Sequence, residues 1–377
     1  MKRDISYLGA FICIGVGLTY VGPVLGQLQA RAGVSVSTIG LLFSAQSVGY
    51  LVGSVVAGRL YDRGLGHRVM ASGLLLVASG LMAIAFARSL PSMLVAVVLL
   101  GVASGVVDVG GNTLLVWSRT VGIAPWMNAL HLFFAAGALA TPVLVAGGRA
   151  VPALVGGVLC VVMGANLMTQ PSPPVRVHET QAAETPRRPM LLVALFFFLY
   201  VGAEVGFAGW LHSYGGAQGL SSRGATILTT LFWMGFALGR LVSIGAARRV
   251  AAEHLLVGGA IAVVVAALFV LFGRGGPLIW PSAFAMGLAT APQFASMMVY
   301  ASERMAFSGA ATSTFIGASA VGGIVLPWCM GQGYDRAGAW MMPAVVLVCG
   351  VGLVATIMAL RRELGDASQL RALQHQA

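Results

Sequence analysis

Charge is what this sequence most lacks. Asp, Glu, Lys and Arg together make up 9% of its 377 residues, against about 25% in an ordinary soluble domain. That is too little charged side chain to cover a water-facing surface of this size. Acids are the scarcest, 11 against 22 bases. Cysteine is sparse as well, and Cys13, Cys160, Cys329 and Cys349 all fall inside apolar runs. This argues against a disulfide framework or a Cys-x-x-Cys metal knuckle and leaves them as small apolar packers. No metal-ligand spacing, Gly-x-Ser-x-Gly elbow or phosphate loop occurs, so neither an enzyme's chemistry nor a metal or cofactor is expected. The net charge of +11 does not point to nucleic acid, because the bases stand singly in short loops and never form a stripe with interleaved aromatics.

What the sequence has in quantity is apolar length. Hydrophobic residues are 58% of the chain, and a helix needs roughly 20 of them in succession to cross the hydrocarbon core. Windows of that kind are expected at 7–29, 37–61, 69–87, 92–117, 126–146 and 151–169, then at 190–211, 224–246, 255–272, 278–300, 309–331 and 340–360. The expected fold is therefore an all-α membrane protein of twelve transmembrane helices in two six-helix bundles. The stretch Met1-Lys2-Arg3-Asp4 reads as the start of the first span, because the following apolar run offers no small-residue cleavage site. Between the sixth and seventh spans, Pro171, Pro173, Pro174, Glu179, Glu184, Arg187 and Arg188 have the composition of a solvated linker. Domains are expected at 1–170, a cytoplasmic linker at 171–189, and a second bundle with a short cytoplasmic tail at 190–377. Placing the amino terminus inside puts sixteen of the 22 bases on the cytoplasmic side, as the enrichment of Lys and Arg in cytoplasmic loops requires. Both termini are then cytoplasmic and the protein sits in the inner membrane.

The halves echo each other. Gly49-Tyr50-Leu51-Val52-Gly53 in span two has a counterpart in Gly235-Phe236-Ala237-Leu238-Gly239 of span eight, and Gly101-Val102-Ala103-Ser104 in span four matches Gly287-Leu288-Ala289-Thr290 in span ten. A parallel repeat of this kind is the mark of a duplicated transporter fold. After span two comes Gly58-Arg59-Leu60-Tyr61-Asp62-Arg63-Gly64-Leu65-Gly66-His67-Arg68, which resembles the signature loop of the major facilitator superfamily. The resemblance implies that Gly58, Asp62, Arg63 and Arg68, with Gly239-Arg240 in span eight, form a conformational latch that holds in one state and releases in the other. Within that superfamily, Asp108-Val109-Gly110-Gly111-Asn112, Asn128-Ala129-Leu130-His131 and Phe198 to Gly206 followed by Trp210 look like the fucose permease and sodium-dependent glucose transporter branch. Two departures are visible: no acid lies between Tyr7 and Gln27, and His131 stands where the permeases place Gln.

Of the acids, only Asp108 and Glu204 lie well inside apolar spans. A carboxylate at a helix centre costs about 2.5–3.5 kcal/mol on insertion scales, which makes each a candidate for cation coupling. Gly101, Gly105, Asp108 and Asn112 share one face of span four, and Asn128 and His131 share one face of span five. His131 is read as the one histidine inside a span, able to donate to and accept from a hydroxylated solute. Trp210 could stack on a sugar's apolar face, and Gln46 and Gln293 are further amides within spans. The expected solute-binding set is Asn112, Asn128, His131, Trp210, Gln46 and Gln293, with a structural role open for each. Glu204 could equally be a structural carboxyl paired with Arg240. The function expected is secondary active transport of a small polar, sugar-like solute by alternating access. Its partners are a proton or sodium ion and the lipid bilayer, and the protein is expected to be a monomer. A proton-driven exporter of an amphipathic metabolite or drug is the alternative, disfavoured because Thr141 interrupts the antiporter pattern Gly-x-x-x-Gly-Pro at Gly137 to Pro142.

Overall fold

A computed structural model describes residues 2–34, 36–119, 122–175, 187–273, 276–305 and 307–374. Among these residues every regular element is a helix. In order they are α1 (Lys2–Thr19), α2 (Val21–Ala32), α3 (Val36–Asp62), α4 (Gly66–Phe86), α5 (Leu90–Ser118), α6 (Ile123–Ala146) and α7 (Val151–Met168). They continue with α8 (Arg187–Ala217), α9 (Ser222–Ala246), α10 (Ala252–Phe272), α11 (Ile279–Thr290), α12 (Gln293–Arg304), α13 (Gly309–Ala337) and α14 (Met341–Gln374). An all-helical answer follows from the solvent, because oil offers no partner for a backbone N–H or C=O and the helix satisfies both internally.

Eleven helices are long and apolar enough to cross a membrane among the described residues. The remaining expected span, at 278–300, is divided into α11 and α12, each of 12 residues. The interruption falls at Ala291–Pro292, where the backbone stays helical but Pro292 has no N–H to give to the carbonyl of Leu288. The first span is divided in the same way: Pro23 cannot donate to Thr19, and α1 gives way to α2 at Tyr20.

The chain forms two compact units. Unit 1 is Met1–Val177 with Phe307–Gly317, and unit 2 is His178–Ala306 with Ala318–Ala377. The beginning of α13 therefore packs with the first unit, and most of the expected linker lies outside the described residues. Inside unit 1, α3 packs along α5 and α1 along α6; inside unit 2, α9 packs along α11 and α8 along α14.

Glycine sets the closest of these approaches, and does so twice. In unit 1, a Cβ on Gly101 would collide with the Gln46 carbonyl and lie 2.8 Å from the Tyr50 nitrogen, and one on Gly53 would meet the Val102 carbonyl. In unit 2, a Cβ on Gly287 would collide with the Phe232 carbonyl and lie 2.7 Å from the Phe236 nitrogen, and one on Gly239 would meet Ala291 and Leu288. Each unit 2 residue here sits at the same sequence offset from its unit 1 counterpart. The repeated letters are thus a repeated seam, in which backbone touches backbone and any side chain would force the helices apart. The α1–α6 pair, with Gly15 against Phe134 and Gly137 against Ile12, recurs as Gly202 and Gly322 between α8 and α13.

Candidate functional site

The seam between α3 and α5 also places the first candidate carboxylate. The glycine face of α5 turns toward α3, so Asp108, two turns beyond Gly101, arrives beside Tyr50. The Tyr50 hydroxyl donates to Asp108 Oδ2. One turn further along α5, Asn112 Nδ2 donates to Asp108 Oδ1 at 2.8 Å and to the Asp108 carbonyl at 3.0 Å. Its Oδ1 faces His131 Nε2 of α6 at 3.3 Å. Because both amide hydrogens point at oxygens of Asp108, the oxygen of Asn112 must point at the histidine, and Nε2 must carry the proton. The chain Tyr50, Asp108, Asn112, His131 is therefore ordered in its donors and acceptors. Phe11 of α1 closes it edge-on, with ring centroids 5.5 Å from His131. Asp108 and His131 are each 8% exposed and Asn112 is fully buried, while Tyr50 is half-buried.

The paired glycines before Asn112 have a local reason. Gly110 makes room for the Tyr61 hydroxyl and Gly111 for the Phe11 ring. Tyr61 in turn donates to the Val106 carbonyl at 3.0 Å. Gln46 sits on the same α3 face but donates to the Gly17 carbonyl at 3.2 Å, tying α3 to α1. Asn128 is buried one turn before His131 on α6, with Nδ2 on the Ala124 carbonyl at 3.0 Å and Oδ1 without a partner among the described residues. Thr141 accepts from Thr19 at 3.0 Å and donates to the Gly137 carbonyl, so it serves as a polar link between α6 and α1.

The second carboxylate belongs to unit 2 and has different company. Glu204 on α8 lies within electrostatic reach of Arg240 on α9 and Tyr200 one turn before it. Arg240 is only 4% exposed, and its guanidinium lies 4.9 Å from the Phe236 ring centroid. Among the described residues, its Nε and Nη1 and the Tyr200 hydroxyl have no partner within hydrogen-bond geometry. Phe294 packs against Phe197 at 4.8 Å and Tyr200 at 6.3 Å, so the group is lined by aromatic carbon. The count of cytoplasmic bases includes Arg240, but its side chain lies in the interior within electrostatic reach of Glu204, the neighbour that the structural alternative for Glu204 names. Gln293 and Trp210 stand apart from this group. The Gln293 amide reaches the Leu256 carbonyl at 3.3 Å and lies over Gly259 of α10. Trp210 donates to the Pro327 carbonyl at 3.0 Å and stacks on Tyr334 at 5.5 Å, filling the space that Gly331 leaves.

The loop motif is built differently from an acid–base pair. Asp62 accepts the backbone N–H groups of Gly309 at 2.6 Å and Ala310 at 2.9 Å, both within unit 1. It thereby satisfies donors at the start of α13 and places negative charge at its positive end. Gly58 and Gly309 face each other so closely that a Cβ on either would meet the other's carbonyl at 2.5 Å. Ser313 donates to the Ser54 carbonyl and Trp117 to the Phe307 carbonyl at 3.0 Å. Arg63 and Arg68 are exposed.

Three residues in this region have partners that the sequence does not disclose. Tyr50 was visible between the two repeated glycines of α3, yet nothing in a single sequence says that its hydroxyl reaches α5. His67 heads α4 and is buried, so His131 is not the one histidine within a span. Its Nε2 meets the Tyr7 hydroxyl at 2.8 Å and its Nδ1 the Gln170 carbonyl at 3.0 Å. Arg119, just past the end of α5, pairs with Asp4 at 3.0 Å and lies 3.7 Å over Trp126.

Residues 7–327 match the Major Facilitator Superfamily. Sodium-dependent glucose transporter 1A of Mus musculus is 25% identical over 390 residues, covering 90% of this chain and 91% of the relative. Among solved structures, the superfamily transporter FucP in its outward conformation superposes with a TM-score of 0.83 at 17% identity, covering 96% of this chain and 99% of that one. The proton:xylose symporter XylE superposes with a TM-score of 0.81 at 12% identity, covering 96% and 95%. A chain that is helical throughout its described elements, carries duplicated glycine seams and one buried and one half-buried carboxylate within its spans, and matches over most of its length belongs to the Major Facilitator Superfamily.

Proposed function

We propose that the protein is a cation-coupled carrier of a small, neutral, hydroxylated solute of the sugar class, working by alternating access. The observation that carries this reading is the ordered chain Tyr50, Asp108, Asn112, His131. It holds one carboxylate inside a membrane span, and its hydrogen bonds come from neutral donors. A carboxylate so placed is costly to keep in oil while ionised. Binding a proton or sodium ion neutralises it before the loaded carrier reorients and lowers that penalty. The surrounding amide, imidazole and phenol can each exchange a hydrogen bond with a solute hydroxyl. The names of the mouse relative, a sodium-dependent glucose transporter, and of XylE, a proton:xylose symporter, support the same solute class and the presence of a coupled cation.

In this reading Glu204 and Arg240 are a separate polar group belonging to unit 2, and Asp62, Gly58 and the start of α13 form the conformational latch. The carrier sits in the inner membrane with both termini cytoplasmic and acts as a monomer; the distribution of bases favours that orientation. The experiment is counterflow and accumulation in proteoliposomes with a panel of hexoses, pentoses and lipophilic cations. The reading expects sugar uptake that collapses when the cation gradient is dissipated. Asp108→Asn should abolish accumulation while leaving exchange. Accumulation of sugar by both Asp108→Asn and Glu204→Gln at the unsubstituted rate would remove the acids from the mechanism, and extrusion of lipophilic cations in place of sugar would favour an exporter.

A further inference from the structure

We propose that Tyr50 is a solute-binding residue whose hydroxyl donor is switched by the proton on Asp108, so that the coupled proton and the solute are linked through one phenol. This rests on the reading of Asp108 as the coupling acid, and it names the residue through which coupling is felt.

Asp108 Oδ1 accepts from Asn112 Nδ2, an amide nitrogen that can only donate. A proton arriving at Oδ1 would set two donors face to face. Asp108 Oδ2 accepts from the Tyr50 hydroxyl, and a hydroxyl can reverse its role, since it carries one proton and acceptor lone pairs. The proton therefore belongs on Oδ2. Once there, the new carboxylic O–H donates to the Tyr50 oxygen. Tyr50 keeps its own proton, which turns about the Cζ–Oη bond to the opposite position in the ring plane. No covalent bond to Tyr50 breaks: one proton has been added to Asp108, one negative charge has disappeared, and one O–H donor has been redirected.

Before protonation that donor is committed to the carboxylate; afterwards it needs an acceptor, and a buried donor left unmade is costly. Tyr50 is also half-buried, whereas Asp108, Asn112 and His131 are buried. A solute oxygen placed at the Tyr50 hydroxyl supplies the missing acceptor. By linkage, a solute that binds the protonated form more tightly also tightens proton binding by the same factor.

The groups facing Asp108 agree with this assignment. From α3 the titratable neighbour is Tyr50, and along α5 it is Asn112 that touches the carboxyl. On α6, His131 lies at one remove behind Asn112, and α1 brings the uncharged Phe11 against His131. The α4 face against α5 is apolar, with Gly73 and Gly80 meeting Val106, Val107 and Leu100. Among the described residues, the donor pattern leaves Tyr50 as the one direct partner of Asp108 that can both give and receive.

The test is equilibrium binding of D-glucose to the full-length protein in lipid nanodiscs between pH 5 and 8.5, in sodium and in choline chloride. The unsubstituted protein is expected to bind about tenfold more tightly at the acidic end, the size of one neutral hydrogen bond, with no sodium requirement. Tyr50→Phe is expected to bind weakly at every pH and to lose the pH dependence. Asp108→Asn, whose amide N–H can donate to the Tyr50 oxygen as the carboxylic acid would, is expected to bind tightly at every pH. The double variant should resemble Tyr50→Phe. A Tyr50→Phe protein that keeps the pH dependence, while Asp108→Asn loses it, overturns the role of Tyr50 and leaves the coupling acid standing. PH-independent binding by the unsubstituted protein, a sodium requirement, or no glucose binding at all overturns the proposal together with the proton-coupled form of the reading beneath it. If Tyr50→Phe does not fold, the Asp108→Asn arm decides alone, since a weakened Asp108→Asn protein contradicts the switch.

Discussion

Replacing Gly101 by alanine adds one methyl group where two backbones already touch. The new Cβ would overlap the Gln46 carbonyl and stand 2.8 Å from the Tyr50 nitrogen, while ordinary contact begins at 3.4 Å. Neither neighbour is a flexible side chain, so α3 and α5 must separate along the seam. Alanine in a helix interior is favoured over glycine by up to about 1 kcal/mol, but overpacking a close interface costs about 1–3 kcal/mol. The net expectation is a loss of roughly 1 kcal/mol at Gly101 and, by the repeated geometry, a similar loss at Gly287. Gly258 is the control: it is exposed on α10, and a Cβ there meets nothing within 4 Å, so Gly258→Ala should be neutral or slightly stabilising. Thermal unfolding read with a thiol-reactive fluorophore is suited to this chain, because Cys13, Cys160 and Cys349 are free and buried until it unfolds. Gly101→Ala and Gly287→Ala are expected to unfold at lower temperature than Gly258→Ala. The double variant should sum the two losses to within about 0.5 kcal/mol, since the sites lie in separate units. A Gly101→Ala protein as stable as Gly258→Ala would refute the seam.

Three further outcomes follow from the same geometry. Asn112→Leu removes the amide that supplies Asp108 Oδ1 and satisfies His131; losing a hydrogen bond to a charged group costs about 1.5–3 kcal/mol. A lowered unfolding temperature together with lost accumulation is expected, and normal stability would dissolve the chain. Arg240→Met leaves Glu204 without its positive neighbour, a loss of up to roughly 3–5 kcal/mol for a fully buried pair and less here because Glu204 is partly exposed. Adding Glu204→Gln should restore most of the lost stability, whereas equal damage in single and double variants would show that the two side chains act independently. Asp62→Ala takes the acceptors from Gly309 and Ala310, a capping loss of about 1 kcal/mol. Hydrogen exchange across 307–317 is expected to quicken by several-fold, and unchanged exchange would exclude Asp62 as the cap.

The architecture was readable because burial in oil leaves a strong imprint: twelve windows, a base-rich set of loops and glycines repeated at one offset. The two divided spans were not, although the causes, Pro23 and Pro292, are plain letters. A proline inside a span usually kinks a helix, and only tertiary packing decides whether the element is counted as one or two. Asp108 and Asn112 were placed on a common face by spacing alone, because helical periodicity fixes which residues share a side. Their partners were not legible, since Tyr50 and His131 come from other helices and a single sequence carries no distances between helices. Arg240 was legible in two ways, as one of the cytoplasmic bases and as a partner for Glu204. Near the end of an apolar window a base looks like a loop residue, yet a long side chain can fold back to a carboxylate one helix away. Gln293 and Trp210 illustrate that a polar tip in a span is as readily spent on a neighbouring carbonyl, here Leu256 and Pro327, as kept for a solute.

The repeated scaffold has been furnished unequally. Counted from the matching glycines, the position of Asp108 in unit 1 is occupied in unit 2 by Phe294, and that of Tyr50 by Phe236. One frame cast twice thus holds an ionisable pair in the first copy and two phenyl rings in the second. A machine whose skeleton is nearly symmetric acquires its polarity from this difference in contents, and exchanging the two pairs of side chains would be the most economical way to ask whether the copies still remember which of them carries the charge.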